Sequence, residues 1–280
     1  MIIDFHTHAF PLWIKNNRED YLRQDTGFAR LYSHPRARIA TAEEIVAAMD
    51  RDGVDVSVVL SFGWRSHQLC REGNDYLLEA AQRYPKRLVA FCSLQPAVGE
   101  AALVELERCA GGGARGIGEL RPEDQGFDLM DETVMPALVQ KALEYRLPLL
   151  LHTSEPVGHH YPGKGVATPE VLYPFIHRYP GLSLICAHWG GGLPFYALMP
   201  EVARALGNVY FDTAASPFLY RRTIYSIVTQ IMGDDRILFG SDFPLLSQRR
   251  CLESIASLPQ ASKARILGQN AHRLLWGDGE

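Results

Sequence analysis

Residues 2–8, Ile-Ile-Asp-Phe-His-Thr-His, open the chain with a strand-like apolar run that ends in two histidines. Alternate residues of a strand share a face, so His6 and His8 project together. The residues just past a first strand separate the two architectures that alternating strands and helices can build. A doubly wound open sheet announces a glycine-rich phosphate loop there, and this chain has His6-Thr7-His8 instead. Seven more β-branched or apolar runs come later, beginning near Val54, Leu88, Ala114, Leu147, Leu182, Val209 and Ile237. Each is succeeded by a segment with helical spacing, so the strands are expected to be parallel and buried on both faces. Eight strands divide the chain into units of roughly 35 residues, enough for a strand, a helix and two connections. The expected fold is α/β, a closed (β/α)8 barrel.

The helical segments carry their own signals. Thr41 with Glu44 three residues later forms a capping box, Ile45, Val46 and Met49 make an apolar stripe, and Gly53 ends the helix. Further helices are expected over 74–83, 100–109, 134–145, 169–177, 194–206 and 222–232, with a C-terminal helix from Ser262 to Trp276. No linker-like or low-complexity stretch interrupts residues 1–280, which read as one barrel domain. The excursions Ala9 to Ala40 and Ser154 to Thr168 come after strands one and five, on the face where barrel enzymes place their sites.

Composition narrows the function. The 280 residues carry 28 basic and 32 acidic side chains, net −4, without a dense basic stripe, so no nucleic-acid partner is expected. No apolar run is long enough to cross a membrane, and the N-terminus lacks a signal peptide. Five cysteines without a Cys-x-x-Cys pair read as reduced thiols of a cytoplasmic protein. The strand ends carry the chemistry. His6 and His8 end the first strand, Glu119 the fourth, His152 the fifth, His188 the sixth and Asp242 the eighth. A barrel aims these side chains at one volume, where imidazoles and carboxylates suit a divalent cation. Any one of these histidines alone would read as a satisfied core residue; their joint position on one side is what points to a metal.

The order of these residues resembles the amidohydrolase superfamily, and within it the amidohydrolase 2 branch, on MIIDFHTHAF at the start, ICAHWGG around His188 and FGSDFP around Asp242. The resemblance implies that His6, His8, His152 and Asp242 hold one ion, Zn²⁺ first and Mn²⁺ as an alternative. His188 would then ligate a second ion or act as acid/base. Glu119, in GIGEL, is either a further ligand or the partner of a cation such as Arg121. The leading expectation is hydrolysis of an ester, lactone or amide in a small acidic molecule by a metal-activated water. Asp242 would take the proton and His188 stabilise the oxyanion. The alternative is non-oxidative decarboxylation of an unsaturated or aromatic acid, with His188 as acid/base. A TatD-type phosphoesterase or nuclease ranks below both. Arg121, His160, Tyr161, Lys164 and Trp189 are the candidate substrate contacts, with Arg65, Trp64 and Tyr220 behind them. Asp4 is placed either to hydrogen-bond a ligand imidazole or to make an ordinary polar contact. A homodimer is possible for a chain of this kind.

Overall fold

The structure, a computed structural model, describes residues 1–277; the last three residues of the expected domain lie outside the described residues. Eight strands alternate with helices: β1 (Ile3–His8), β2 (Val56–Leu60), β3 (Leu88–Ala90), β4 (Ile117–Leu120), β5 (Leu149–Leu151), β6 (Leu184–Cys186), β7 (Val209–Asp212) and β8 (Ile237–Leu238). Every pairing is parallel, in two arcs, β1-β2-β3 and β4-β5-β6-β7-β8. The seams between the arcs are bonded as well. At one, Cys92 bridges Ile117, with the Cys92 N–H donating to Gly116 O at 2.9 Å and the Gly118 N–H to Cys92 O at 2.8 Å. At the other, Thr7 bridges Phe243, and the Phe5 and His8 N–H groups donate to Phe239 O and Phe243 O, each at 2.7 Å. The fold is a (β/α)8 barrel.

Its core has two shells. Ile3, Phe5, Val58, Phe91, Leu150 and Ile185 pack together with Ala271 and Leu275 of the C-terminal helix. A larger layer, including Val59, Leu149, Leu151 and Phe211, packs strands against the surrounding helices. Ladder register slips between Asp4 and Thr7 in β1 and between Ile117 and Leu120 in β4. Such irregularities re-aim side chains, and these two fall on His6 and Glu119.

The capping box at Thr41 forms as expected, opening the Ala42–Asp52 helix, and Gly53 closes it with φ 76°. Other helices depart from the sequence reading for local reasons. The 74–83 helix starts earlier, at His67, because the Ser66 side chain accepts the Leu69 N–H. The 194–206 helix is instead a 3₁₀ segment, Leu193–Leu198, and a short helix, Pro200–Ala205, because Pro200 restarts the chain after extended Met199. The C-terminal helix is broken into Gln260–Ala264, a π-turn Arg265–Gln269 and Asn270–Trp276. At that turn Gly268 lies so close to the Met1 carbonyl that a Cβ would stand 2.3 Å from it. The 9–40 excursion holds three short helices, Leu12–Asn16, Arg18–Gln24 and Thr26–Tyr32. All five cysteines are buried and unpaired, and among the described residues no helix is long and apolar enough to cross a membrane.

Candidate metal centre

His6, His8, Glu119, His152, His188 and Asp242 meet at the C-terminal mouth of the barrel. Nε2 of His6 stands 3.1 Å from Nε2 of His8. Glu119 occupies the middle, with Oε1 2.9 Å from His152 Nδ1, 3.6 Å from His188 Nε2 and 3.7 Å from His6 Nε2. Its Oε2 lies 3.9 Å from His8 Nε2, and Asp242 Oδ1 lies 3.4 Å from the same atom. Two groups of donor atoms, His6 with His8 and Glu119, and Glu119 with His152 and His188, each fall within 4.8 Å.

The far side of each ring shows what the near side offers. A carbonyl or carboxylate oxygen only accepts, so the ring nitrogen facing it must carry the proton. His6 Nδ1 donates to Asp212 Oδ2 at 2.8 Å, His8 Nδ1 to Ser61 O at 3.3 Å and His188 Nδ1 to Ala214 O at 3.1 Å. His152 is turned the other way, Nε2 donating to Gly163 O at 2.7 Å. Each imidazole thus presents its remaining nitrogen to the centre, in the orientation that metal-ligating histidines require. His152 Nδ1 then faces Glu119 Oε1 as lone pair against lone pair, a space that only a cation or a shared proton can occupy. The residues fit a divalent cation.

Electrostatics agree. Burial pulls the His6 pKa down, but Asp212, Glu119 and Asp242 push it up to about 10. His188 is also raised, burial being outweighed by Glu119 and Asp242, whereas burial and the Arg121 charge lower His152. Burial opposes ionisation of Glu119 and Asp242, yet the surrounding imidazoles hold Glu119 well below the usual carboxylate range and Asp242 at about 2. Without a cation the carboxylates draw His6 and His188, but not His152, toward the protonated form.

Asp212, at the end of β7, was not among the sequence candidates. It is fully buried, and while Oδ2 takes the His6 proton, Oδ1 accepts the N–H groups of His188 at 2.9 Å and Ala214 at 3.0 Å. His188 itself sits in the left-handed region, φ 55° and ψ 45°, a strained setting for a non-glycine residue held by these bonds. The signal was available, since Asp212 ends a strand as Glu119 does. Asp4 makes the ordinary contacts: it accepts from Ser241, Gln248 and the His6 backbone, and no imidazole.

A cavity of about 460 Å³ opens above the cluster. Tyr161 and Arg121 line it as anticipated, but three other candidate contacts do not. Trp189 is fully buried, its Nε1 donating to Ser216 Oγ and its ring packed on Tyr225. Lys164 Nζ is turned to the Val157 carbonyl, and His160 is exposed outside the lining, where its neighbour His159 takes the place. Trp64 is buried too, stacked on Phe28. Arg121 is buried and its charge is already matched, by Asp124 at 2.7 Å, Glu119 at 3.5 Å and Glu123 at 3.9 Å. The lining that sequence reading missed includes Leu31, Tyr32, Arg38, Phe62, Phe218 and Leu245.

A family model described as Amidohydrolase matches residues 3–276. The chain belongs to this amidohydrolase family. Among curated relatives it is 21% identical to a gamma-resorcylate decarboxylase of Polaromonas sp., over 91% of this chain and 94% of that protein. Two solved structures share the barrel. One is 5-carboxyvanillate decarboxylase from Sphingomonas paucimobilis, with TM-score 0.80, 16% identity and 98% of both chains covered. The other is the Novosphingobium aromaticivorans 5-carboxyvanillate decarboxylase complexed with manganese and 4-hydroxy-3-methoxy-5-nitrobenzoic acid, with TM-score 0.79, 20% identity and 98% and 96% covered. The family is one of enzymes, and each of these three relatives is a decarboxylase of a small aromatic acid.

Proposed function

We propose that this protein, a single barrel domain, is a metal-dependent non-oxidative decarboxylase of an aromatic acid. The observation that carries the proposal is the cavity: aromatic and aliphatic side chains form its walls, and imidazoles and carboxylates form its floor. A flat ring between Phe62, Tyr32 and Phe218 brings an acid group down to that floor. The gamma-resorcylate decarboxylase of nearly equal span supports this reading over hydrolysis, the leading expectation from sequence. Hydrolysis is kept as a second reading because two donor groups share Glu119, an arrangement suited to two ions and an attacking water.

His6, His8, His152, Glu119 and Asp242 would hold the ion. Manganese, present in the Novosphingobium structure, is the first to test and zinc the second. When bound, a divalent cation supplies Lewis-acid polarisation and fixes the acid group in place. The reaction converts a ring carboxylate and one proton to CO₂ and a ring that carries hydrogen at the same carbon, its other substituents unchanged. The C–C bond breaks with its electron pair left on the ring carbon, and that carbon takes the proton. His188 is assigned to deliver it: its Nδ1–H is fixed on Ala214 O, which leaves Nε2, 3.6 Å from Glu119 Oε1, as the ring nitrogen that carries the transferred proton. The wall side chains keep bulk water from the ring while the proton transfers.

The manganese-loaded protein should release CO₂ from hydroxybenzoates while leaving lactones and amides intact. Hydrolysis of the latter without CO₂ release overturns the proposal and restores the hydrolytic reading.

A further inference from the structure

The donor atoms of the cavity floor fall into two groups that share Glu119, yet the groups differ in charge. His6 and His8 have two carboxylates against them, Glu119 and Asp242, with Asp242 Oδ1 3.4 Å from His8 Nε2. The rings of His152 and His188 have Glu119 alone; among the described residues no other carboxylate comes within 4.0 Å of either ring. Beside them stands a guanidinium instead. Arg121 is buried, with Nη1 3.5 Å from Glu119 Oε2. Its Nη2 and the His152 Nε2 converge on one acceptor, the Gly163 carbonyl, at 3.5 and 2.7 Å. The guanidinium is fixed from behind: Nε donates to Asp124 Oδ2 at 2.7 Å, and the Phe62 ring lies 5.8 Å from its carbon. The backbone is held as well, the Arg121 N–H donating to Gln125 Oε1 at 2.9 Å.

We propose that Arg121 takes the electrostatic place of a second cation and so limits this centre to one divalent ion. A single such ion cancels the charges of Glu119 and Asp242, and Asp212 is committed to three N–H groups. Behind Arg121, Asp124 and Glu123 are shared with Arg30, at 2.7 and 3.5 Å, so two carboxylates face two guanidiniums and leave no surplus anion. A second ion would have to take His152 and His188 for itself, bringing two positive charges against a fixed one. Burial leaves that repulsion poorly screened. Arginine suits the role because its charge does not titrate away. Resting on the decarboxylase reading, the same residue leaves His188 without a metal and free to carry the proton assigned to it. Arg121 is a positioning residue, acting through Glu119 and the metal count.

The test counts manganese. The full-length protein, freed of metal, is titrated with Mn²⁺, with calorimetry for affinity, elemental analysis for stoichiometry and electron paramagnetic resonance for the state of the ion. Wild type should hold about one ion per chain with the spectrum of isolated Mn²⁺, a second binding at least about a hundredfold more weakly. Arg121→Met should raise that second affinity about tenfold or more and give the broadened spectrum of two ions joined through Glu119. Arg121→Lys, which keeps the charge, should return the count to one. Melting curves establish that each variant is folded. Arg121→Met combined with Asp124→Asn removes the buried pair together and should also admit the second ion. A wild type that holds two ions of similar affinity, or none, overturns the proposal, as does a single isolated ion in both neutral variants. The decarboxylase reading fails separately: a count set by Arg121 with no CO₂ released from hydroxybenzoates leaves the role of Arg121 standing and removes that chemistry.

Discussion

Asp212 does with one carboxylate what no neutral isostere can do. Both of its oxygens only accept, Oδ2 from the His6 ring and Oδ1 from two backbone N–H groups. In Asp212→Asn one oxygen becomes an NH₂ donor. Either amide orientation then sets donor against donor, at His6 Nδ1 or at the His188 and Ala214 amides. The His6 proton is driven toward Nε2, the nitrogen that faces His8. Manganese affinity measured by titration should fall roughly 10- to 100-fold, the usual cost of losing such a supporting carboxylate. Affinity within about twofold of wild type would show that Asp212 does not set the ring. The six strand-end residues were legible because a parallel barrel aims such positions at one mouth. Asp212 ends a strand too, but in Val-Tyr-Phe-Asp-Thr it reads as ordinary polar punctuation, and its contacts to β1 and β6 span 206 and 24 residues of sequence. Trp189 failed as a contact for a related reason: sequence places it beside His188, but the left-handed backbone at both residues turns its indole into the shell under Tyr225.

Between elements, Glu105 ties the 100–111 helix to the 67–83 helix. It is 2% exposed and accepts Arg108 Nε and Nη2, each at 2.8 Å, and Asn74 Nδ2 at 2.7 Å. Asn74 in turn bonds Ser93 at both its N–H and its carbonyl, just past β3. Burial disfavours the Glu105 charge, but Arg108, Asn74 and Cys109 hold its pKa below the ordinary value of 4.5. A carboxylate lowered in the folded state adds stability that is present above its unfolded pKa and lost as pH falls through the folded one. Glu105→Gln should therefore cost about 2 kcal/mol at neutral pH. It should also flatten the loss of urea midpoint below about pH 4.5. A wild type and variant with parallel pH profiles would remove Glu105 from that role. Element identity was legible here because strands buried on both faces show as continuous apolar runs. Boundaries were less so. β8 pairs with β7 only over Ile237–Leu238, although its run continues to Asp242; beyond Leu238 the chain meets β1 through single bonds instead, Phe5 N–H to Phe239 O and Asp242 N–H to His6 O. The short helices of 9–40 lack a long amphipathic repeat and are held by the Phe10, Phe28, Phe62 and Trp64 cluster, which no local pattern reveals.

At the scale of the whole molecule, the barrel is two hydrogen-bonded arcs joined at two seams, and the candidate ligands are divided between them. His6 and His8 belong to the first arc; Glu119, His152, His188 and Asp242 belong to or lie just past strands of the second. A cation bound to both sets cross-links the arcs at the mouth, so its binding energy acts on barrel closure as well as on chemistry. Manganese at about 100 times its dissociation constant should stabilise the fold by about 2.7 kcal/mol, or roughly 5 to 10 °C in melting temperature for a chain of this size. The effect should also be uneven. Removing the ion with a chelator should speed hydrogen exchange at the seam amides of Phe5, His8, Cys92 and Gly118 more than at amides inside an arc such as Leu149, which donates to Ser183 O at 3.0 Å. Uniform loss of protection would mean that the ion stabilises the domain without clamping the seams. A melting temperature unmoved by manganese, to within about 1 °C, would mean that the mouth of this barrel does not hold the ion at all.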